Sequence, residues 1–326
     1  MSAKHTLLKT LADGQFHSGQ HLANELGITR AAIWKQIQTI QARGIIIDAV
    51  RGKGYRWQDP QQLLDLKVIK SGIPTLIKQQ TEEIILLDTI DSTNRYLLER
   101  LVPSSNKPLI CLSETQTAGR GRRGRHWVSP YASNLYLSIG WQHAEGPQSF
   151  TGLSLAMGVA VMRVLSHYRQ PSIGLKWPND IIANGKKLGG ILIEMAGDAS
   201  GPCSLVVGLG LNIQMPVQLA QDIDQPWVDL STLLGQSTPS RNQLAAELIT
   251  EMCTIINEYP RMGFSQYQAE WQQWDQYNNK VVTLIQGEHQ QRGTVTGVDQ
   301  HGNLLLNTAK GIQTFNAGEI SLRAAV

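Results

Sequence analysis

The sequence predicts an α/β chain of several domains: a small helical unit with a hairpin, a larger unit built on a mixed sheet, and a small β-barrel. At 326 residues the chain exceeds the size at which one hydrophobic core usually stops growing. The spacing of apolar residues also changes twice, near residue 60 and near residue 279. We therefore expect domains at 1–62, 63–277 and 278–326.

Positive charge is concentrated in two places. Residues 1–60 hold eight lysines and arginines against four acidic residues, whereas the remainder holds 21 against 22. Within that remainder, four arginines fall inside the seven residues GRGRRGR at 119–125. Each concentration indicates an anionic partner.

The composition excludes several classes of protein. No apolar run approaches the ~18 residues that a membrane span requires, and the N-terminus lacks the pattern of a signal peptide. We therefore expect a cytoplasmic protein with no membrane partner. The three cysteines lie far apart and the eight histidines show no ligand spacing, so neither a disulfide framework nor a resident metal site is expected.

Capping signals divide the first sixty residues into three helices and a hairpin. An apolar-faced stretch around Leu8 forms the first helix, Ser18 and Gly27 bound the second, and Thr29 begins a third that ends at Gly44. Isoleucines recur at positions i, i+4 and i+7 of this third helix and predict a buried stripe: Ile33, Ile37 and Ile40. Two strand-like runs then flank the basic turn RGKG. This order is typical of a winged helix-turn-helix.

The winged unit is expected to bind operator DNA. Its third helix would enter the major groove, and the wing would contact the backbone or the minor groove. A purely structural or protein-binding role for the three helices is the alternative, and the basic excess favours DNA. The residues expected to contact DNA are Ser18, Gln20, Thr29, Arg30, Lys35, Gln38, Arg51 and Lys53.

After a polar bridge at 59–62, longer strands alternate with helices expected near 93–101, 151–169 and 239–258. The predicted strands are EEIILLD, PLICLSE, NLYLSIGW, GLKWPNDIIA, KKLGGILIEM and CSLVVGLGLN. The dipeptide Asn184-Gly185 predicts a hairpin, because both residues tolerate positive φ, so part of the sheet is antiparallel. From about residue 279 five short strands, from KVVTLI to EISLR, predict an SH3-like barrel.

The arginine-rich string formally matches the dinucleotide motif GxGxxG. That motif requires a helix directly after it, whereas HWVSPYASN and a strand follow here, so a dinucleotide site is excluded. Alternating Gly and Arg instead suit a loop whose guanidinium groups fork onto carboxylate and phosphate oxygens, which could order over an anionic nucleotide. A solvated basic loop or a nucleic-acid contact is the alternative. GKKLGG at 185–190 lacks the ending of a P-loop, and GLSLA at 152–156 fits a core helix better than a hydrolase elbow.

Five strings in the same order resemble the biotin–protein ligase family, in its bifunctional type that is also a biotin operon repressor. The strings are DSTN at 91–94, ETQTAGRGRRGRHWVSP at 114–130, KWPND at 176–180, KKLGGILIE at 186–194 and GLGLN at 208–212. The resemblance covers nearly the whole chain. It implies a mixed-sheet domain of the biotin/lipoate ligase type between the two smaller domains.

The resemblance also implies a two-step reaction. Biotin and MgATP give biotinyl-5′-adenylate and pyrophosphate, and a lysine of a biotin carboxyl carrier protein then displaces AMP. Lys187, Arg122 and Asp180 are the expected catalytic residues, with Asp180 helping to deprotonate the acceptor lysine unless it merely caps the turn. The expected biotin-binding residues are Ser92, Thr93, Asn94, Gln116, Arg120, Gly121, Arg122, Lys187 and Gly190.

The resemblance also implies residues that bind the adenylate and a form of regulation. The residues assigned to ATP or the adenylate are Arg123, Arg125, Trp127, Lys176, Asn179 and Asn212. A homodimer that forms on adenylate binding is expected to control repression, because one winged domain alone makes few DNA contacts. A lipoate–protein ligase and a repressor that senses a ligand without catalysis are the alternative functions.

Overall fold

The computed structural model describes residues 3–58, 62–102, 107–144, 146–168, 172–197, 201–286, 289–317 and 320–324. Three helices and a hairpin form the N-terminal unit: α1 (Ala3–Leu11), α2 (Gly19–Leu26), α3 (Arg30–Gln41), β1 (Ile47–Val50) and β2 (Gly54–Trp57). The hydroxyls of Ser18 and Thr29 accept backbone N–H groups of α2 and α3, which confirms both predicted caps. The isoleucine stripe of α3 is buried as predicted. α3 ends at Gln41, three residues before the predicted end at Gly44.

A seven-stranded mixed sheet forms the centre of the molecule, in the order β3-β4-β5-β9-β8-β7-β6. Only β3 and β4 pair in parallel among its described strands, so the predicted antiparallel portion is confirmed. The strands are β3 (Glu83–Leu87), β4 (Leu109–Ser113), β5 (Leu135–His143), β6 (Ile173–Lys176), β7 (Asp180–Ala183), β8 (Lys186–Gly197) and β9 (Cys203–Leu211).

Seven helices accompany this sheet in the described parts of the central unit. The three predicted ones are α6 (Thr93–Arg100), α7 (Leu153–Ser166) and α9 (Arg241–Met262), and residues 169–171 lie outside the described chain. Four more were not predicted, because five to seven residues are too few to establish a helical period. They are α4 (Leu66–Gly72), α5 (Thr75–Gln79), α8 (Leu230–Leu234) and α10 (Gln268–Trp274).

The prediction of one strand over 174–183 was wrong. The segment forms β6 and β7, which pair with each other around a tight turn at Trp177–Asn179. Proline lacks the N–H that a strand interior needs, so Pro178 marks the break. The hairpin predicted at Asn184-Gly185 is confirmed, with φ values of 52° and 75° between β7 and β8.

The C-terminal unit is a five-stranded antiparallel sheet in the order β13-β12-β11-β10-β14. Its strands are β10 (Val281–Gln286), β11 (His289–Val298), β12 (Leu304–Thr308), β13 (Gly311–Phe315) and β14 (Ile320–Ala324). They match the five predicted short strands, although residue 319 of the last one lies outside the described chain.

The N-terminal and central units contact each other through apolar and polar side chains. Leu63 and Tyr131 pack with the helical core of the N-terminal unit, while Leu64 belongs to the central core. Arg43, just after α3, donates to Asp88 at 3.1 Å and to Thr89 at 2.9 Å. Of the predicted bridge at 59–62, only residue 62 is described. None of the helices in the described parts of the chain is both long and apolar enough to span a membrane.

Candidate functional site

One cleft of about 650 Å³ lies where α6, the arginine-rich loop and strands β7, β8 and β9 meet. Every central-domain residue singled out in the sequence lines this cleft. They are Ser92, Thr93, Asn94, Gln116, Arg120, Gly121, Arg122, Arg123, Arg125, Trp127, Lys176, Asn179, Asp180, Lys187, Gly190 and Asn212. Segments up to 120 residues apart in sequence therefore contribute to a single site.

The N-terminus of α6 supplies a polar wall. Ser92 caps the helix, which places the next two side chains toward the cleft. The carboxamide oxygen of Gln116 accepts from the Thr93 backbone N–H at 2.9 Å and from its hydroxyl at 3.1 Å. The Gln116 amide then donates to Ser129 at 3.2 Å. These contacts fix the orientation of the groups before any ligand arrives.

Two residues that sequence reasoning missed hold the same wall in place. Ser138 of β5 donates to Asn94 at 2.6 Å, and Glu194 of β8 accepts from the Asn94 amide at 2.9 Å. Glu194 also pairs with Arg120 of the arginine-rich loop at 3.0 Å. One carboxylate thus connects the polar wall to the loop. Ser138 lies in a strand pattern without a motif. Glu194 ends the KKLGGILIE string, but its place inside a strand gave no reason to assign it a role.

The arginine-rich loop forms a compact turn rather than an extended lid. Arg122–Gly124 make one 3₁₀ turn, and the Gly121 N–H bonds the Arg125 carbonyl at 2.8 Å. Arg123 takes a positive φ of 59° within this turn. The loop is therefore already shaped around the cleft.

Arg122 connects the loop to two other parts of the chain. It donates to the Asn179 carboxamide at 3.1 Å and to the backbone carbonyl of Ala317, in the C-terminal unit, at 2.5 Å. Burial lowers the pKa of the Arg122 guanidinium, and the neighbouring Asp180 carboxylate opposes that shift. The C-terminal unit therefore helps to position a residue of the central cleft.

Lys187 lines the cleft between Asp180 and Trp127. Its ammonium is 2.6 Å from the Asp180 carboxylate and 5.6 Å from the centroid of the Trp127 ring. Both charged side chains are mostly buried, which strengthens their electrostatic effect on a bound anion. The backbone of Lys187 also pairs with residues 226–228, which fixes the strand beneath the side chain. The Lys187 ammonium is therefore fixed in position in the same cleft as four arginines.

Two polar atoms in the cleft are buried without a hydrogen-bond partner in the described structure. They are the side-chain oxygen of Asn212 and the indole N–H of Trp127. Natural proteins rarely leave such atoms unpaired, so both are suited to bond a ligand. The Trp127 ring lies against Gly210, where an added Cβ would approach the ring to 2.5 Å. Glycine at 210 therefore makes room for this aromatic surface.

Lys176 also lines the cleft, and its ammonium lies 5.6 Å from the ring centroid of Tyr277. Burial and the carboxylates of Asp180 and Asp275 raise the pKa of the Tyr277 phenol. The segment Asp222–Trp227 closes another side, and sequence reasoning missed it because it has neither periodicity nor a motif. Only the folded structure shows that this segment forms a wall of the cleft.

The residues expected to contact DNA are all exposed on the N-terminal unit. Arg30, Lys35 and Gln38 lie on α3, and Arg51 and Lys53 lie in the turn between β1 and β2. The hydroxyls of Ser18 and Thr29 are engaged in capping their helices, which leaves them fewer bonds to offer a partner. Gln20 donates to Asn24 at 2.9 Å.

Three protein-family models match the chain. They are the Biotin/lipoate A/B protein ligase family over residues 86–212, an HTH domain over residues 4–56 and the Biotin protein ligase C terminal domain over residues 279–323. The three matches follow the order of the three structural units.

Relatives of known identity resemble the chain over almost its full length. The Bifunctional ligase/repressor BirA proteins of Salmonella typhimurium and Escherichia coli are each 39% identical to it, over 98% of this chain and 97% of theirs. Among solved structures, the biotin protein ligase from Aquifex aeolicus in complex with biotin and ATP is 27% identical. It matches with a TM-score of 0.63 over 75% of this chain and 100% of that one.

Proposed function

The chain belongs to the bifunctional biotin–protein ligase and repressor family, and we propose that its central cleft makes biotinyl-5′-adenylate at Lys187. It is an ATP-dependent ligase that attaches biotin to a protein, and it is also a repressor. The assignment of Lys187 to this reaction rests on one observation. The mostly buried Lys187 ammonium shares its cleft with four arginines and a preformed polar wall.

In the first step a carboxylate oxygen of biotin attacks the α-phosphorus of ATP. The new bond joins that oxygen to phosphorus, the α–β bridging bond breaks, and pyrophosphate leaves. Two anions repel as they approach, and the Lys187 ammonium, with Arg120 and Arg122, offsets that repulsion and the charge developing at phosphorus. Arg123 and Arg125 are assigned to the departing pyrophosphate, whose oxygens also carry the Mg²⁺ of MgATP.

Recognition of the two substrates is divided along the cleft. The ureido ring of biotin has donors and an acceptor that need partners when buried. Ser92, Thr93, Asn94 and Gln116, which line one wall, offer both kinds of group, while Gly121 and Gly190 leave room for the ligand. Trp127 supplies a flat surface for adenine. Asn212, Asn179 and Lys176 are assigned to the base, ribose and phosphate.

In the second step the amine of an acceptor lysine attacks the acyl carbon of the adenylate, and AMP leaves with its phosphate oxygen. A lysine amine with a pKa near ~10.4 is protonated at neutral pH and must lose a proton first. Asp180 is the carboxylate assigned to receive it. Its carboxylate lies 2.6 Å from the Lys187 ammonium and lines the same cleft, which supports this role over simple turn capping.

Pyrophosphate release from ATP tests the assignment of substrate. The full chain is incubated with MgATP and either biotin or lipoate as the only added acid. We expect release with biotin, and later transfer to a carboxyl carrier domain. Release with lipoate alone would show a lipoate ligase, and no release with either acid would support a repressor that senses ligand without catalysis.

Repression is proposed to depend on a homodimer formed through β8. This strand pairs with β7 only as far as Gly190, whereas it pairs with β9 to Gly197. In the described chain no strand covers residues 192–197 on the β7 side, and an open edge of this kind can pair with a second copy. Glu194 lies in this segment and contacts Arg120 of the loop. A ligand that engages Arg120 therefore acts directly beside the proposed interface.

Adenylate-dependent dimerisation is checked by sedimentation with and without biotin and MgATP. We expect the mass to double when adenylate forms, because the ligand shifts assembly by binding the dimer better than the monomer. Met195, 47% exposed on the open segment, supplies the test variant. Met195→Asp should prevent the doubling, and Ile312→Asp, an exposed change in the C-terminal sheet, should not. An unchanged mass for the parent protein would contradict the coupling.

A further inference from the structure

An exposed tryptophan stands on the helix that is expected to enter DNA. Trp34 of α3 is 57% exposed, although indole rings usually contribute to the core. It is not a member of the buried cluster to which Ile33 and Ile37 of the same helix belong. The exposed neighbours on α3 are Arg30, Ala31, Lys35, Gln38 and Thr39. A large apolar group at this place is not explained by packing within the chain.

The surroundings of Trp34 match one kind of partner. Ala31 precedes it by three residues, so the two side chains are neighbours on the helix surface and form an apolar strip. Arg30 and Lys35 flank this strip on the same helix, and the exposed Arg51 and Lys53 lie on the wing of the same unit. Basic groups suit the phosphates of a duplex. An apolar strip between them suits the one apolar group that base edges present in the major groove, the thymine methyl.

We propose that Trp34 reads operator sequence by packing its indole against thymine methyl groups in the major groove. The inference rests on the proposed DNA-binding function of the N-terminal unit and names the readout at one residue. Trp34 is the fifth residue of α3, and in helix-turn-helix proteins the N-terminal part of the second helix meets base edges. The basic residues around it set affinity for any duplex, whereas Trp34 sets preference among sequences.

The test uses full-length protein with biotin and MgATP. Duplexes are first selected from a random-sequence library, and each is then made again with deoxyuridine in place of thymine, which removes only the methyl group. We expect the parent to lose about fourfold in affinity for each half-site methyl, the equivalent of one buried methyl group. Trp34→Ala should lose about tenfold on the thymine duplexes and become insensitive to deoxyuridine.

Two comparisons separate sequence readout from general weakening. Lys35→Ala should lower affinity on all duplexes and reduce the salt dependence by about one phosphate contact, whereas Trp34→Ala should leave the salt dependence unchanged. Biotinylation of a carrier domain by Trp34→Ala should equal that of the parent, which shows that the ligase domain is intact. Retained salt-dependent binding to duplexes shows that the N-terminal unit is folded. If Trp34→Ala keeps parental affinity and sensitivity to deoxyuridine, the inference is wrong while DNA binding stands. If the parent selects no duplex, the repressor function itself fails, and the inference with it.

Discussion

Replacing Lys187 with alanine is expected to slow adenylate formation by about 10²–10³-fold, the usual effect of removing one preorganised group that stabilises transition-state charge. The side chain is mostly buried between Asp180 and Trp127, which strengthens its electrostatic effect on a bound anion. Biotin alone should bind only moderately more weakly. Its single carboxylate loses less electrostatic stabilisation than a carboxylate and an α-phosphate that are brought together. Pyrophosphate release in the first turnover, measured beside biotin binding, separates the two effects.

Lys186 provides the matched control for this variant. It is the preceding residue, carries the same charge and lies exposed at the tip of the hairpin between β7 and β8. Lys186→Ala should adenylate biotin at the parental rate. Thermal unfolding of both variants checks that the Asp180 carboxylate, left unpaired by Lys187→Ala, has not unfolded the domain. If both variants are folded and form adenylate at equal rates, Lys187 has no role in adenylate formation.

Replacing Glu114 with glutamine is expected to destabilise the protein by about 3–5 kcal/mol, the typical result of removing one partner from a buried ion pair. Glu114 and Arg241 contact each other at 2.7 Å with side chains only 2% and 3% exposed. Glu114 also accepts the backbone N–H of Leu64 at 2.6 Å, just after the connection from the N-terminal unit. The neutral variant leaves the Arg241 charge buried without its partner, and denaturant unfolding measures the loss.

A surface pair and a double variant make this prediction specific. Glu99, whose side chain is 63% exposed, pairs with Arg95 on α6, and because solvent screens this pair Glu99→Gln should leave stability close to that of the parent. Adding Arg241→Met to Glu114→Gln removes the stranded charge and should recover much of the loss. A Glu114→Gln protein as stable as Glu99→Gln would mean that the pair contributes little.

Local signals in the sequence were sufficient for the longer helices, for most strands and for the motif strings that line the cleft, but not for the four helices of five to seven residues. The caps at Ser18 and Thr29, the isoleucine stripe of α3 and the turn at Asn184-Gly185 depend on neighbours within a few residues. The GRGRRGR and KKLGG strings are also local signals, because their glycines and positive charges within a few residues indicate a site for an anion. A single strand was wrongly predicted over 174–183, although Pro178 is a local signal against it.

What the sequence determined by itself is therefore the three-unit organisation and the motif residues that line the cleft, since both follow from spacing and side-chain chemistry within short segments. The tertiary structure alone decided which distant groups hold those residues in place. Glu194 meets Asn94 and Arg120, the Ala317 carbonyl meets Arg122, and Arg241 lies 127 residues from its partner Glu114. Such contacts arise from the order and register of strands, because a sheet brings together residues that no local pattern connects.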